Sequence, residues 1–479
     1  MKVLLLVPPT SLDLSYGNLK NFSDPNPSIG LAYIAAVLQK NGFEVVVTDG
    51  YVNQLDLGEV MKIVEKERPD IIGISMLTTA AGVAIKIVEE VRKNFPAIKI
   101  VMGNIHASLF AKDLLKDGHA DYIVHREGEY TMLELAQSLR DNNSVEGIRG
   151  LSYLSSKGEV INNELRHFIE NLDDLPFPAW DLFPLDKYKT DPRTEMVFGK
   201  IDMFVLATRG CPNVCTFCSS STDKSQGNRY RMRDPKKVVD ELEYLNKKYG
   251  ATVFTFIDLA FPLVKSHGMA LCQEIIDRGL AKKIQWSSEL RVKPLDQEML
   301  NIMKKSGCRR VIFGIESGTD RILEICRKNF NIDDVKRAVK MAKKANLEVD
   351  GMFMIGLPTE TVEDIERTIN FAIKLNVRYA ILNLFVPYPG CEFYETLNRD
   401  GKIKFKDWSD FISYPTYAGR EPVYVPDGLT REQLMHLQTQ AMKKFYFRPS
   451  FIFGELKRFR LSKIKHYWRG LIALILVRR

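Results

Sequence analysis

The chain lacks the features that announce several protein classes. Its seven cysteines are an odd number, and Cys272, Cys308, Cys326 and Cys391 each stand alone. That distribution excludes a disulfide framework and fits a reducing, cytoplasmic setting. The apolar start, residues 2–7, is too short for a secretory signal and has no small-residue cleavage site, so it reads as a first buried strand. The apolar run near the end, residues 470–477, has eight residues, far short of the ~20 that a membrane-crossing helix needs. No repeat of roughly 20–50 residues is visible, which sets aside solenoids and propellers. Basic charge is scarce over most of the length. The formal net charge is +8, but residues 443–479 hold eleven Lys or Arg against one acid, Glu455, so the preceding 442 residues sum to −2. A nucleic-acid groove needs a basic surface, and none is legible outside that tail, nor is an aromatic-rich RNA-binding motif.

What is present is an ordinary globular composition, 45% hydrophobic and 27% charged, over a length that suits two or three domains. Residues 1–140 alternate β-branched runs (2–7, 44–48, 70–75, 99–102, 122–125) with helical stretches (29–40, 57–67, 80–94, 107–116, 129–140). This predicts an α/β fold with a doubly wound parallel sheet, whose ligands sit beyond the carboxyl ends of the strands. Residues 141–200, punctuated by Pro176, Pro178, Pro184 and Pro192, are predicted to be a connector that includes a short hairpin. A second alternation fills 201–420, with strand-like runs at 203–208, 253–258, 284–289, 311–316, 348–355 and 379–385 and helices between them. Residues 421–479 are predicted to form a helical, basic C-terminal region.

Early in the second alternation stands Cys211-Pro-Asn-Val-Cys215-Thr-Phe-Cys218. Three soft thiolates on one loop select an iron–sulfur cluster or zinc. A four-iron cluster held by three cysteines leaves one iron open to a small chelating molecule. Zinc would need a fourth ligand, and the nearest following histidine, His267, is far outside zinc-knuckle spacing. The C-x3-C-x2-C loop, placed after the first of six βα units, resembles the radical S-adenosylmethionine (SAM) superfamily. The resemblance implies an open (β/α)6 partial barrel, with a [4Fe-4S] cluster on Cys211, Cys215 and Cys218 and SAM on the free iron. It also implies reductive cleavage of SAM to a radical that takes hydrogen from an unactivated carbon, with electrons from a donor such as flavodoxin or ferredoxin.

Other strand ends extend the likeness. Phe217 resembles the aromatic that lies against the SAM adenine. Asp258 stands where relatives carry paired acids, one of which is Leu259 here, and is the expected acceptor for the SAM ammonium. Arg291 resembles the arginine that grips the SAM carboxylate, a task suited to a bidentate guanidinium. Glu316, in Gly314-Ile315-Glu316-Ser317-Gly318, resembles the acid on the ribose hydroxyls. Ile355, before Gly356-Leu-Pro358, is a further expected SAM contact. Cys391, after Pro387-Tyr388-Pro389-Gly390, replaces a threonine common in relatives. It reads either as a hydrogen donor to a product radical or as a small buried residue.

A doubly wound domain ahead of such a core resembles the cobalamin-binding class of the superfamily. Ser75-Met76-Leu77-Thr78, Gly103-Asn104-Ile105-His106 and Arg126-Glu127-Gly128-Glu129 carry the likeness. It implies Ser75, Leu77, Thr78, Gly103, Asn104, His106 and Glu127 around cobalamin, with Gly103 permitting close approach of a large flat ligand. The D-x-H-x-x-G that supplies a cobalt-ligating histidine is missing. Asp117-Gly118-His119 lacks the following glycine and reads as a turn, so the cobalt is expected to take no histidine from this motif. The alternative is a scaffold domain without the cofactor. With cobalamin, the implied reaction is C-methylation of an unactivated carbon, while ring-forming and oxidative members share the same motifs.

In the tail, Ile452, Leu456, Phe459, Ile464, Tyr467 and Leu471 recur at about helical spacing among Lys and Arg. This predicts a basic amphipathic helix on an anionic membrane surface and favours a lipid or isoprenoid substrate. The alternative is a helix docked on the barrel with its basic face in water.

Overall fold

The structure is a computed structural model and describes residues 1–22, 26–188, 201–220, 227–459 and 464–475. The N-terminal sheet has the expected five parallel strands, β1 (Lys2–Val7), β2 (Glu44–Asp49), β3 (Ile71–Ser75), β4 (Lys99–Gly103) and β5 (Tyr122–Val124). Val3 and Leu5 of β1 join one hydrophobic cluster, with helices Ile29–Lys40 and Glu129–Arg140. Leu4 and Leu6 join another, with Leu57–Glu67 and Ala81–Asn94. Burial on both faces explains why these strands read as unbroken apolar runs. The predicted hairpin, β6 (Leu151–Leu154) and β7 (Val160–Asn162), extends the same sheet antiparallel, giving the order β2-β1-β3-β4-β5-β6-β7. The helix expected over 107–116 breaks at Phe110 into Ile105–Leu109 and Ala111–Lys116. There the Phe110 ring packs at a tilt against His106 and Trp408.

The second sheet is fully parallel. Its strands are β8 (Asp202–Val205), β11 (Val253–Phe256), β12 (Gln285–Leu290), β13 (Cys308–Glu316), β14 (Glu348–Ile355) and β15 (Ala380–Leu384), paired in that order. Between β8 and β11, β9 (Thr208–Arg209) and β10 (Arg231–Met232) form a small antiparallel ladder, from which the cysteine loop projects. Side chains alternate across the large sheet. Phe254, Phe256, Trp286, Phe313 and Phe353 pack under the helices, whereas Met352, Met354 and Asn383 on the opposite face are only half-buried and line the lumen.

The open edge at β15 is covered by the helix Arg431–Tyr446. Gln438 Nε2 donates to the Leu382 carbonyl at 3.3 Å and Tyr446 OH to that of Ala380 at 2.8 Å, which blunts an edge that would otherwise pair with other chains. The tail thus differs from the single helix expected. Arg431–Tyr446 docks, Pro449–Lys457 buries none of its residues, and Ile464–Ile475 packs against 17–22 and 431–446. The predicted stripe also shifts. Tyr467 and Leu471 are half-buried while Trp468 is exposed, because the helix turns one face to the protein.

Candidate functional site

The cysteine loop opens at Gly210, whose φ of +84° and close approach to the Arg229 carbonyl leave no room for a Cβ. Cys211 is buried, Cys215 and Cys218 are partly exposed, and all three are free thiols on one loop. The donor set fits a thiolate-bound cluster, and two donors already face sulfur: Asn213 Nδ2 toward Cys211 at 3.3 Å and Arg291 Nη1 toward Cys215 at 3.8 Å. Among the described residues no group of three or more Cys, His, Asp or Glu side chains, the three cysteines included, is drawn together around a metal position. The histidine a zinc site would require is engaged elsewhere, since His267 Nε2 bonds the Arg233 carbonyl at 2.7 Å.

The expected SAM residues gather around a lysine that the sequence did not flag. Lys328, buried, donates to Glu316 Oε1 at 2.8 Å, lies 5.4 Å from the Phe217 ring, and offers its carbonyl to Arg291 Nη2 at 2.8 Å. Phe217, Arg291, Glu316 and Cys215 are therefore one neighbourhood. Glu289, next to the end of β12, joins it with an exposed side chain, and the protein crowded around its carboxyl together with the Glu316 charge pushes its pKa up. Period-two alternation along β12 was the signal that could have found it.

Three further expected residues lie outside that neighbourhood, each engaged by the protein itself. Asp258 is buried and its oxygens accept from the Ala207 amide (3.1 Å) and the Thr208 hydroxyl (2.5 Å), so it braces the strand end that leads into the cysteine loop. Burial pushes its pKa up to about 6. The Ile355 side chain is fully buried on the helix-facing side of β14. Cys391 is 1% exposed and caps the helix Glu392–Arg399, with Tyr394 N donating to its sulfur at 3.3 Å, and burial pushes the thiol up to about 12. A thiol so enclosed is a packing and capping group.

In the N-terminal domain, Ser75, Gly103, Asn104 and Glu127 line one cavity of about 330 Å³ at the carboxyl ends of β1, β3, β4 and β5. Asn104 Nδ2 donates to Ser75 Oγ at 3.0 Å, and Leu77 is half exposed. Gly30, Tyr33 and Ile34, which the sequence did not flag, complete the wall. Thr78 and His106 do not line it. They bond each other at 3.3 Å, His106 packs at a tilt on Phe110 and edge-to-face on Trp408, and burial pulls its pKa down to about 4, a structural histidine. Gly118 takes φ +74° after the helix Ala111–Lys116, so Asp117-Gly118-His119 is indeed a turn.

Glu127 does more than line the cavity. It accepts from Arg209 (3.0 Å), Arg231 (2.8 Å) and the Ile169 amide (2.7 Å), while Glu129 pairs with Arg209 at 2.8 Å, and all four side chains are buried. The two arginines sit opposite each other on β9 and β10, one on either side of the cysteine loop. The N-terminal domain thus holds the base of that loop. On the other side a Cβ on Gly390 would meet Leu109 at 3.1 Å and Ser219 at 3.7 Å, so the Pro-Tyr-Pro-Gly turn is wedged between helix Ile105–Leu109 and the cysteine loop.

Residues 205–372 match the radical SAM superfamily and residues 18–136 the B12 binding domain. The chain is 34% identical, over 99% of its own length and 98% of the relative's, to an uncharacterized methyltransferase of Pyrococcus horikoshii. It is 28% identical, over 89% of itself and 75% of the relative, to the anaerobic magnesium-protoporphyrin IX monomethyl ester cyclase of Rubrivivax gelatinosus. Its fold is similar to that of the cobalamin-dependent SAM radical enzyme OxsB, solved with aqua-cobalamin and SAM, at a TM-score of 0.73 and 15% identity over 99% of this chain and 72% of that one. A B12-binding sheet clamped to an open six-stranded radical SAM barrel defines a radical enzyme with two cofactor faces. This chain belongs to the cobalamin-dependent radical SAM family, and its cofactors are a [4Fe-4S] cluster, SAM and cobalamin.

Proposed function

We propose that the protein is a C-methyltransferase acting on an unactivated carbon of an apolar substrate, in the lipid or isoprenoid class. The observation that carries this reading is the meeting of the two cofactor faces. The carboxyl ends of both sheets converge on the Gly390 turn, which touches Leu109 on one side and lies near Ser219 on the other, so a substrate held beside that turn is reachable from both sides. In this reading Cys211, Cys215 and Cys218 hold the cluster, Arg291 grips the SAM carboxylate, Glu316 the ribose, and Phe217 the adenine. Ser75, Gly103, Asn104 and Leu77 border cobalamin. When bound, these cofactors supply a carbon-centred oxidant and a transferable methyl group. The chain's own part is to orient and shield. The half-buried Met352, Met354 and Ile381 offer the lumen an apolar wall for a hydrocarbon, and Glu289 and Asn383 offer polar contacts that fix its position. Flavodoxin or ferredoxin is the electron donor class that suits the cluster.

The likeness to a cyclase favours ring formation as the second reading. Anaerobic reconstitution with iron, sulfide and hydroxocobalamin, followed by turnover with methyl-deuterated SAM on an isoprenoid and lipid extract, separates the two. Deuterated methyl in product, together with 5′-deoxyadenosine, supports methylation. Product that loses hydrogen and gains no label supports ring formation and ends the methyltransferase reading.

A further inference from the structure

A second cavity, of about 830 Å³, lies beneath the helix Pro449–Lys457 at the starts of the barrel strands, the opposite end from the cysteine loop. Its charge is lopsided. Both acids on its wall, Glu348 and Glu455, pair with Arg378, at 2.7 and 3.5 Å. Arg448 and Lys343 instead donate to neutral backbone carbonyls, those of Phe445 and Val377 at 2.6 Å each and those of Leu375 and Asn376 at 2.8 Å each. Arg309 adds a guanidinium whose Nε is buried without a hydrogen-bond partner, and Lys457 and Arg458, at the end of the covering helix, add two more cations. Cations gathered in excess of acids around a cavity form an anion site.

The covering helix and the two residues after it also carry exposed apolar surface. Ile452, Phe453, Leu456 and Phe459 are 43–64% exposed, and Ile464, Trp468, Ile472 and Ile475 on the next helix are 47–63% exposed. Phe459 stacks on Tyr467 at 5.7 Å, which sets the two stripes side by side. Eight of the eighteen exposed large apolar side chains among the described residues fall within residues 452–475, so they form a patch and not a scatter. No helix is long and apolar enough to cross a membrane.

We propose that this face docks on an anionic lipid bilayer. The apolar stripes enter the acyl boundary and a lipid phosphate enters the basic cavity. A bilayer surface presents an apolar layer and a negative layer together, which is the pair of features that this face complements. The contact lies at the floor and side of the barrel, so it recruits the protein without covering the cysteine loop.

Flotation of the loaded, full-length protein with phosphatidylcholine vesicles, with and without phosphatidylglycerol, tests the proposal. Binding should rise with phosphatidylglycerol and fall with salt, and tryptophan fluorescence should shift to the blue in the parent but not in Trp468→Phe. Each basic residue at the surface contributes about fivefold, so Arg309→Glu/Lys457→Glu should weaken binding by at least about tenfold. Phe453→Ser/Leu456→Ser should weaken it comparably, with unfolding midpoints and 5′-deoxyadenosine formation near the parent's. Equal binding to neutral vesicles, or none to anionic ones, overturns the proposal. So does complete displacement by inorganic phosphate with Phe453→Ser/Leu456→Ser still binding as the parent does, which would make the cavity a soluble-anion site.

Discussion

Glu360 shows how one buried carboxyl couples a motif turn to pH. Its Oε2 accepts from the Gly356 and Leu357 amides at 2.6 and 3.0 Å, Oε1 is buried without a partner, and burial pushes the pKa up to about 8. The folded state therefore binds the proton more tightly than the unfolded chain does, and stability falls as pH rises from the ordinary value, 4.5, through 8. Glu360→Gln, which imitates the neutral acid, should flatten the thermal midpoint between those limits. A midpoint curve as steep as the parent's would assign the dependence to other groups. Cys391 offers a second test at this scale. Cys391→Ala removes a helix cap and should cost about 1 kcal/mol in denaturant unfolding, while 5′-deoxyadenosine and product both persist. Loss of product alone, in a folded and SAM-cleaving variant, would restore the hydrogen-donor reading.

Between elements, the decisive contact is the clamp of Glu127 and Glu129 on Arg209 and Arg231. Removing one partner of a buried ion pair leaves a bare charge and costs roughly 3–5 kcal/mol, so Glu127→Ala should lower the thermal midpoint and reduce iron and cobalamin occupancy together. Gly103→Trp should act on one cofactor alone, removing cobalamin absorbance while iron content stays, because Gly103 lines the N-terminal cavity and not the cysteine loop. Retention of cobalamin by that variant would misplace the corrin. Most strands were legible because their apolar runs are buried on both faces or alternate with a period of two. Cys211, Cys215 and Cys218 were legible because their spacing is local. Asp258, Ile355 and His106 turn into the protein for one shared reason. A motif gives a residue's position along a strand end, but not which way its side chain turns, and here the turning side was taken up by Thr208, by helix packing and by Trp408. Lys328 left no sequence signal, since it lies in a loop whose neighbours come from three other segments.

For the whole molecule, the tail divides where its charge does not. The basic run begins at Lys443, yet packing runs straight through that point: Ala441 and Met442 before it and Phe445 after it are buried against the barrel, and Arg448 closes the helix end on Val377. Met442 and Phe445 together bury surface worth roughly 3–6 kcal/mol, and Tyr446 covers the β15 edge. Beyond Arg448 the chain contributes less to the core, with Ala473 its one fully buried side chain among the described residues. A chain ending at Arg448 should therefore fold, load its cluster and cleave SAM, while losing flotation with anionic vesicles. A chain ending at Thr439 should aggregate or unfold at a markedly lower temperature. If the Arg448-terminated chain lost its cooperative unfolding transition, the last two helices would be part of the barrel's own stability. If it floated as well as the parent, the bilayer contact would lie elsewhere on the molecule.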